Sequence, residues 1–265
     1  MRVESLYIYP VKSLRGIAVQ EMALDDFGPA FDRRWMIVGQ DGQFVTQRTH
    51  PQLARIGTEL ASGRVWIEVP GQGRFELAPG QSEKPVRVWR DWVGGRIAQP
   101  GPSEAISAFF GESFEFVYMP ESTFRRVDAD WVTEYRRVGF ADGFPFLIVN
   151  QASLEDLNSR LECAVDERRF RPNIVVSGRE PWAEDNWRSL SIGGRAFSLV
   201  KPCSRCVMTT VDPDRGVKAP DAQPLRALGQ FRRTVDGVMF GMNALHDGQS
   251  GTVRLGDSVE ILEQE

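Results

Sequence analysis

Ala196-Phe197-Ser198-Leu199-Val200-Lys201-Pro202-Cys203-Ser204-Arg205-Cys206-Val207-Met208-Thr209-Thr210-Val211-Asp212 is the stretch that decides the fold class. Ala196 to Val200 reads as a strand, and a close-spaced cysteine pair follows it. A thioredoxin-like redox pair would put its first cysteine at a helix N-terminus. Here Val207 to Val211 are β-formers, so the expectation is strand, cysteine pair, strand, in a mainly β (α+β) protein.

Outward from there, both halves read the same way. Val3 to Tyr9, Ile17 to Leu24, Trp35 to Gly39, Arg55 to Leu60, Arg64 to Val69, Arg74 to Leu77 and Val86 to Trp89 predict short strands separated by Gly, Pro and Asp-Gly turns. Asp41-Gly42 between Val38 and Phe44 is a hairpin signal. Pro102 to Phe110 predicts a helix stopped by Gly111. Phe114 to Met119 returns to strand, and Pro120 to Asp142 has no period and reads as a long surface excursion. Beyond it, Phe146 to Val149, Asn173 to Ser177, Ser189 to Ile192, Thr252 to Leu255 and Val259 to Leu262 are expected strands. A helix is expected from Ser153 to Leu161, with Ser153 and Asp156 as a variant capping box and Cys163 packed at its end. A shorter one is expected at Pro224 to Leu228. The 265 residues suit two units meeting near Gly101 to Pro120.

Composition excludes several classes. Hydrophobic residues at 42% and charged residues at 26% are ordinary for a globular protein. A net charge of -4 from mixed signs argues against nucleic acid as a partner. No apolar run approaches a membrane span, and the start is too polar for a signal peptide, so a cytoplasmic location is expected. Three cysteines and two histidines leave little for a disulfide framework, an iron–sulfur cluster or a zinc module. Two readings of Cys203 and Cys206 stay open: packed thiols, or one thiolate favoured by Lys201 and Arg205 and offered to a soft metal.

The chain resembles the MOSC family, and specifically its two-domain members related to the mitochondrial amidoxime-reducing component. The resemblance rests on Tyr9-Pro10-Val11-Lys12-Ser13, Asp32-Arg33-Arg34-Trp35, Pro145-Phe146-Leu147-Ile148, Phe170-Arg171-Pro172-Asn173-Ile174, Ala183-Glu184-Asp185 and Cys203-Ser204-Arg205-Cys206. It implies a β-rich N-terminal domain over residues 1–110 packed on a MOSC β-barrel over 111–265, with a few short helices. The molybdenum cofactor, a pterin dithiolene with a phosphate, would sit between them. By position Cys206 would be the molybdenum ligand and, with Asp142, catalytic; Cys203 would be its neighbour. Lys12, Ser13, Arg33, Asp142, Gly143, Arg171, Asn173, Ser204, Arg205 and Cys206 would bind the cofactor, the arginines as planar forks for phosphate or pterin carbonyls. Gly143 and Phe144 stand where relatives carry hydroxylated residues, which leaves only backbone contacts there. Ala183-Glu184-Asp185 is expected to be structural.

The implied activity is reduction of small N-oxygenated substrates such as amidoximes, hydroxylamines or N-oxides. The chain shows no flavin or nicotinamide fingerprint and too few cysteines for an iron–sulfur domain, so no ferredoxin-like domain is expected. Electrons would therefore come from an external electron-donor reductase or ferredoxin-type protein. The alternative is a cofactor-binding or sulfur-carrier protein without its own turnover.

Overall fold

A computed structural model describes all residues, 1–265. It is mainly β with three α-helices, an α+β protein as expected. The largest sheet orders its strands Val259–Gln264, Trp187–Ile192, Arg195–Arg205, Gly237–His246, Phe146–Asn150, Ile174–Val176, Val3–Ile8 and Ile17–Ala18, with Arg233–Thr234 pairing Gly237–His246 off this path. The barrel implied by the resemblance is not closed by a strand ladder. One isolated bridge, Arg2 to Ser258, joins the two ends, with Val259 N donating to Met1 O and Val3 N donating to Asp257 O at 2.9 Å. The seam stays short because the chain turns away at Gly256-Asp257, so only one residue pair stays in register.

Inside this sheet Leu6, Ile8, Phe146, Ile148, Ile174, Leu190, Ile192, Phe197, Leu199 and Met242 form one core. Met22, Leu24 and Val253 close it from the three-stranded sheet Gly251–Arg254, Glu21–Asp25, Gly28–Pro29. Ile17 to Leu24 is thus two strands in two sheets. A second core, with Val11, Leu14, Trp35, Ile37, Val65, Ile67, Ile106 and Phe116, lies under the hairpins of the first half. Helix Pro102–Phe110 packs there and ends at Gly111 with φ 70°, as the sequence predicts. The Asp41-Gly42 turn is present, with Val38 bridging Phe44.

Five expectations are corrected. Val207–Thr210 is a 3-10 turn and not a strand. Thr209 and Thr210 donate their hydroxyls to Cys206 O and Val207 O, at 3.0 and 2.8 Å, which closes a tight turn that β propensity alone does not foresee. Helix Gln151–Asn158 is capped by Asn150, whose side chain accepts from Ala152 N at 3.2 Å. Ser153 instead donates to the buried Glu184 at 2.7 Å, and Cys163 is exposed beyond the helix end. The segment from Pro120 to Asp142 is irregular but not superficial, since it buries Val127, Val132, Val138, Phe140 and Ala141. Finally, Gly237–His246 is a strand that the sequence reading passed over. Buried on both faces, it lacks alternation, and Gly241 interrupts it at φ 74°.

The expected structural role of Ala183-Glu184-Asp185 is seen in its bonds. Glu184 accepts from Ser153, and Asp185 accepts twice from Arg232, at 2.8 and 2.6 Å.

Candidate functional site

A cleft of about 340 Å³ opens between the hairpin half and the large sheet. All ten residues that the resemblance marks as cofactor contacts line it: Lys12, Ser13, Arg33, Asp142, Gly143, Arg171, Asn173, Ser204, Arg205 and Cys206. They arrive from five chain segments, Asp142 and Gly143 from the turn before Phe146–Asn150. Lys12 and Ser13 follow the first strand, and Arg33 enters a turn whose N–H donates to Tyr9 O at 2.8 Å. Arg171 and Asn173 precede Ile174–Val176, and Ser204 to Cys206 end the strand Arg195–Arg205. Ser13, Arg33 and Arg171 all have positive φ, 70°, 47° and 57°. Trp89, also on the cleft, has φ 56°. Non-glycine residues rarely adopt this region, and four around one cleft indicate a backbone bent to serve a site.

The cleft is cationic. Lys12, Arg33, Arg48, Arg169, Arg171 and Arg205 line it against the single carboxylate of Asp142. In a chain of net charge -4, that local excess selects for an anionic ligand. Two buried N–H donors there, Arg171 Nη2 and Arg205 Nε, have no partner in the protein. Desolvation lowers the Arg171 guanidinium to about 10, and an anion facing it would relieve that.

Lys12 is the most constrained cation. It is 5% exposed, and its ammonium donates to Phe140 O at 2.8 Å and to Asp142. Burial pushes it down to about 8 from an ordinary 10.5, although Asp142 pulls the other way. Between these values the unfolded chain binds more protons than the folded one. The contribution of Lys12 to stability therefore rises with pH from about 8 to 10.5, and below that range its charge is a penalty. An anion in the cleft restores the charge. Binding a pterin phosphate at pH 8 is thus expected to take up protons, seen as a dependence of calorimetric heat on buffer ionisation enthalpy and lost in Lys12→Met.

Asp142 is an anchor more than an acid. Its side chain is 58% exposed at the cleft mouth; desolvation by the surrounding walls opposes its charge, but Lys12, Arg48 at 3.3 Å and the Trp89 indole N–H at 3.2 Å outweigh this and hold its carboxyl well below the usual range. It stays ionised at neutral pH. Its backbone is fixed from behind by Arg125, 4% exposed, which donates to Gly139 O at 2.8 Å, Ala141 O at 2.6 Å and Asp142 O at 3.1 Å. Arg125 also pairs with Asp91 at 2.8 Å. Gly139 lies so close to Arg33 that an added Cβ would sit 2.8 Å from the Arg33 carbonyl oxygen. Gly139→Ala is expected to push the two backbones apart and cost roughly 1 to 3 kcal/mol, measurable as a lowered melting temperature.

Asn173 lines the cleft but is already engaged inside the protein. It is 1% exposed, and its Oδ1 accepts from Arg33 Nη1 at 3.0 Å and Leu147 N at 3.2 Å. Its Nδ2 donates to Tyr7 O and Asp32 Oδ1, both at 3.2 Å. With both ends of the amide engaged inside the protein, it serves as a strut under Arg33 and not as a hand to the pterin ring. Beside it Tyr9 is buried between two guanidinium groups, Arg33 at 4.3 Å and Arg171 at 4.2 Å from its ring centroid.

The cysteines differ in their surroundings. Cys203 accepts from Arg205 Nη1 at 2.9 Å and packs against an apolar cluster that includes Leu147 and Phe240. Cys206 sits at the start of the 3-10 turn, its backbone carbonyl held by Thr209 and its side chain half-buried at the cleft. The flanking charges were expected to serve Cys206. Instead Arg205 faces Cys203, two residues away on the same strand face, and Lys201 lies 4.8 Å from the Trp131 ring centroid. His50 and His246 do not line the cleft. Arg48, Trp89 and Asn243 do, and the sequence reading missed them. Asn243 alone left a usable signal, a single amide within an apolar strand.

Fold and cleft together define a mainly β protein with a cationic cleft between its hairpins and its large sheet. Residues 1–115 match the MOSC N-terminal beta barrel domain, and residues 135–260 match the MOSC domain. The chain belongs to the MOSC family. It is 34% identical to mitochondrial amidoxime-reducing component 1 of Homo sapiens over 99% of this chain and 83% of that one. It is 30% identical to mitochondrial amidoxime reducing component 2 of Rattus norvegicus over 97% of this chain and 82% of that one. Molybdenum cofactor sulfurase of Oryza sativa subsp. japonica is 30% identical over 91% of this chain, which spans only 32% of that protein. No helix is long and apolar enough to cross a membrane.

Proposed function

We propose that this protein is a molybdenum-cofactor-dependent oxidoreductase that reduces N-hydroxylated compounds, with Cys206 as the protein ligand to molybdenum. The observation that carries the reading is the convergence of six cations, two unpartnered guanidinium N–H groups and the cysteines Cys203 and Cys206 in a single cleft, with Cys203 already engaged by Arg205. The names of the full-length relatives supply the substrate class. The residues present fit the group. Lys12, Ser13, Arg33, Arg171 and Arg205 would hold its anionic oxygens, and Ser204 and the backbone at Gly143 would contact the pterin. Nowhere in the chain do three His, Cys, Asp or Glu side chains gather as a metal site. That agrees with a metal whose other ligands come from the cofactor.

When bound, the cofactor supplies two-electron transfer to an N–OH bond. The chain's own residues bind and orient. Asp142 holds Lys12 and Arg48 in place, Asn173 and Asp32 hold Arg33, and Arg125 fixes the segment that carries Asp142. Electrons come from a separate redox protein. Three unpaired cysteines suit a reducing, cytoplasmic compartment. We read the chain as two units, 1–110 and 111–265, that share the cleft.

The test is reduction of benzamidoxime to benzamidine by the purified, cofactor-loaded protein with a reduced viologen as donor. Turnover supports the reading. Tight cofactor binding with no turnover on any N-oxygenated substrate would sink it and favour the second reading, a carrier, to which the similarity to the rice sulfurase lends weight.

A further inference from the structure

Beside the cofactor cleft lies a wider groove of about 820 Å³, and Trp89, Asp142 and Gly143 belong to the walls of both. Trp89 stands at this junction in a backbone conformation that a large side chain rarely adopts. The pairing of Asp91 with Val88 leaves Trp89 and Arg90 as a two-residue hairpin turn. The first position of such turns takes positive φ and favours glycine. Trp89 sits there at φ 56°, with 43% of its surface exposed. A large aromatic is strained in that turn and gains little from burial. Yet the ring is fixed. Its Nε1 donates to Asp142 at 3.2 Å, Phe44 meets it edge-on at 5.1 Å between centroids, and the Arg48 guanidinium lies 4.7 Å from its centroid.

We infer that the groove is the substrate subsite and that Trp89 is its platform, selecting planar aryl N-hydroxylated compounds over alkyl ones. The inference rests on the reading of the cleft as an N-hydroxyl reductase site and deepens it. An exposed indole held in one orientation offers a flat π-surface on which a conjugated amidoxime can stack, and a small alkyl amidoxime gains far less from it. The bond to Asp142 registers that surface against the cofactor anchor, so a stacked aryl group would direct its N–O end into the cleft. Arg87, Arg90 and Arg126 give the groove further planar faces suited to the same class of ligand.

The test compares the full-length cofactor-loaded protein with Trp89→Gly and Trp89→Phe. Affinities for benzamidoxime and acetamidoxime are measured calorimetrically with no electron donor present, and melting temperatures and viologen-driven turnover are recorded alongside. Trp89→Gly, which suits the turn, is expected to melt at or above the wild type while the aryl-to-alkyl affinity ratio falls roughly 5- to 10-fold. Trp89→Phe keeps a ring and should keep most of the ratio. An unchanged ratio in Trp89→Gly overturns the platform. So does a Trp89→Phe variant as poor as Trp89→Gly, because the indole N–H to Asp142 would then be what matters. Aryl-selective binding without turnover removes the reductase reading and leaves the platform standing. Absence of benzamidoxime binding by the wild type removes both.

Discussion

Cys206→Ser is expected to lower turnover by at least about 100-fold and to strip molybdenum from the purified protein. Loss of a partner one bond further from a metal already costs 10- to 100-fold, so removal of a direct ligand should exceed that. The substitution changes one atom, and the backbone at Cys206 is held by Thr209 and not by the sulfur, so the fold should survive. Cys203→Ser is the control. Its sulfur faces Arg205 and an apolar cluster, so it should lose less than about 10-fold, as a perturbed neighbour of the site does. Metal content and kcat of the two variants separate the roles. Equal losses in both would remove the distinction between the cysteines.

Asn173→Ala is expected to destabilise the protein by about 3 kcal/mol. It leaves the Leu147 N–H without one acceptor and the Tyr7 carbonyl without one donor in a buried place, at roughly 1 to 3 kcal/mol for each buried group left unsatisfied. The same change frees Arg33 from the acceptor that aims it. For a chain of this size the melting temperature should drop by roughly 5 to 10 °C, and cofactor retention should weaken with it. Differential scanning calorimetry and the pterin content of the purified variant measure the two effects. A variant that keeps its melting temperature but loses pterin would return Asn173 to the role of direct contact.

These outcomes bear on what the sequence could disclose. That Lys12, Ser13, Arg33, Asp142, Arg171 and Cys206 line one cleft was foreseen only through the family resemblance, since by local pattern each reads as an ordinary strand end, turn or surface residue. The local strands from Val3 to Val69 were legible because their alternation and turn residues agree. Gly237–His246 was not, since a strand covered on both faces carries no period. The bonds of Asn173 inside the protein were not legible because its partners, Tyr7, Asp32, Arg33 and Leu147, come from distant segments whose convergence no local pattern records. Arg125 was hidden for the same reason. In a charged, irregular stretch it looks like any solvated arginine, and only the folded chain brings three carbonyl groups and Asp91 around it. Trp89 was read as the end of a strand, and its positive φ is a property of the turn that follows.

The central claim is that the cationic cleft holds a molybdenum cofactor through Cys206. Metal analysis of the protein purified from a host that makes the cofactor tests it most directly. The account predicts about one molybdenum and one pterin per chain in the wild type, with the metal lost in Cys206→Ser. A wild-type protein that carries neither molybdenum nor pterin would contradict it.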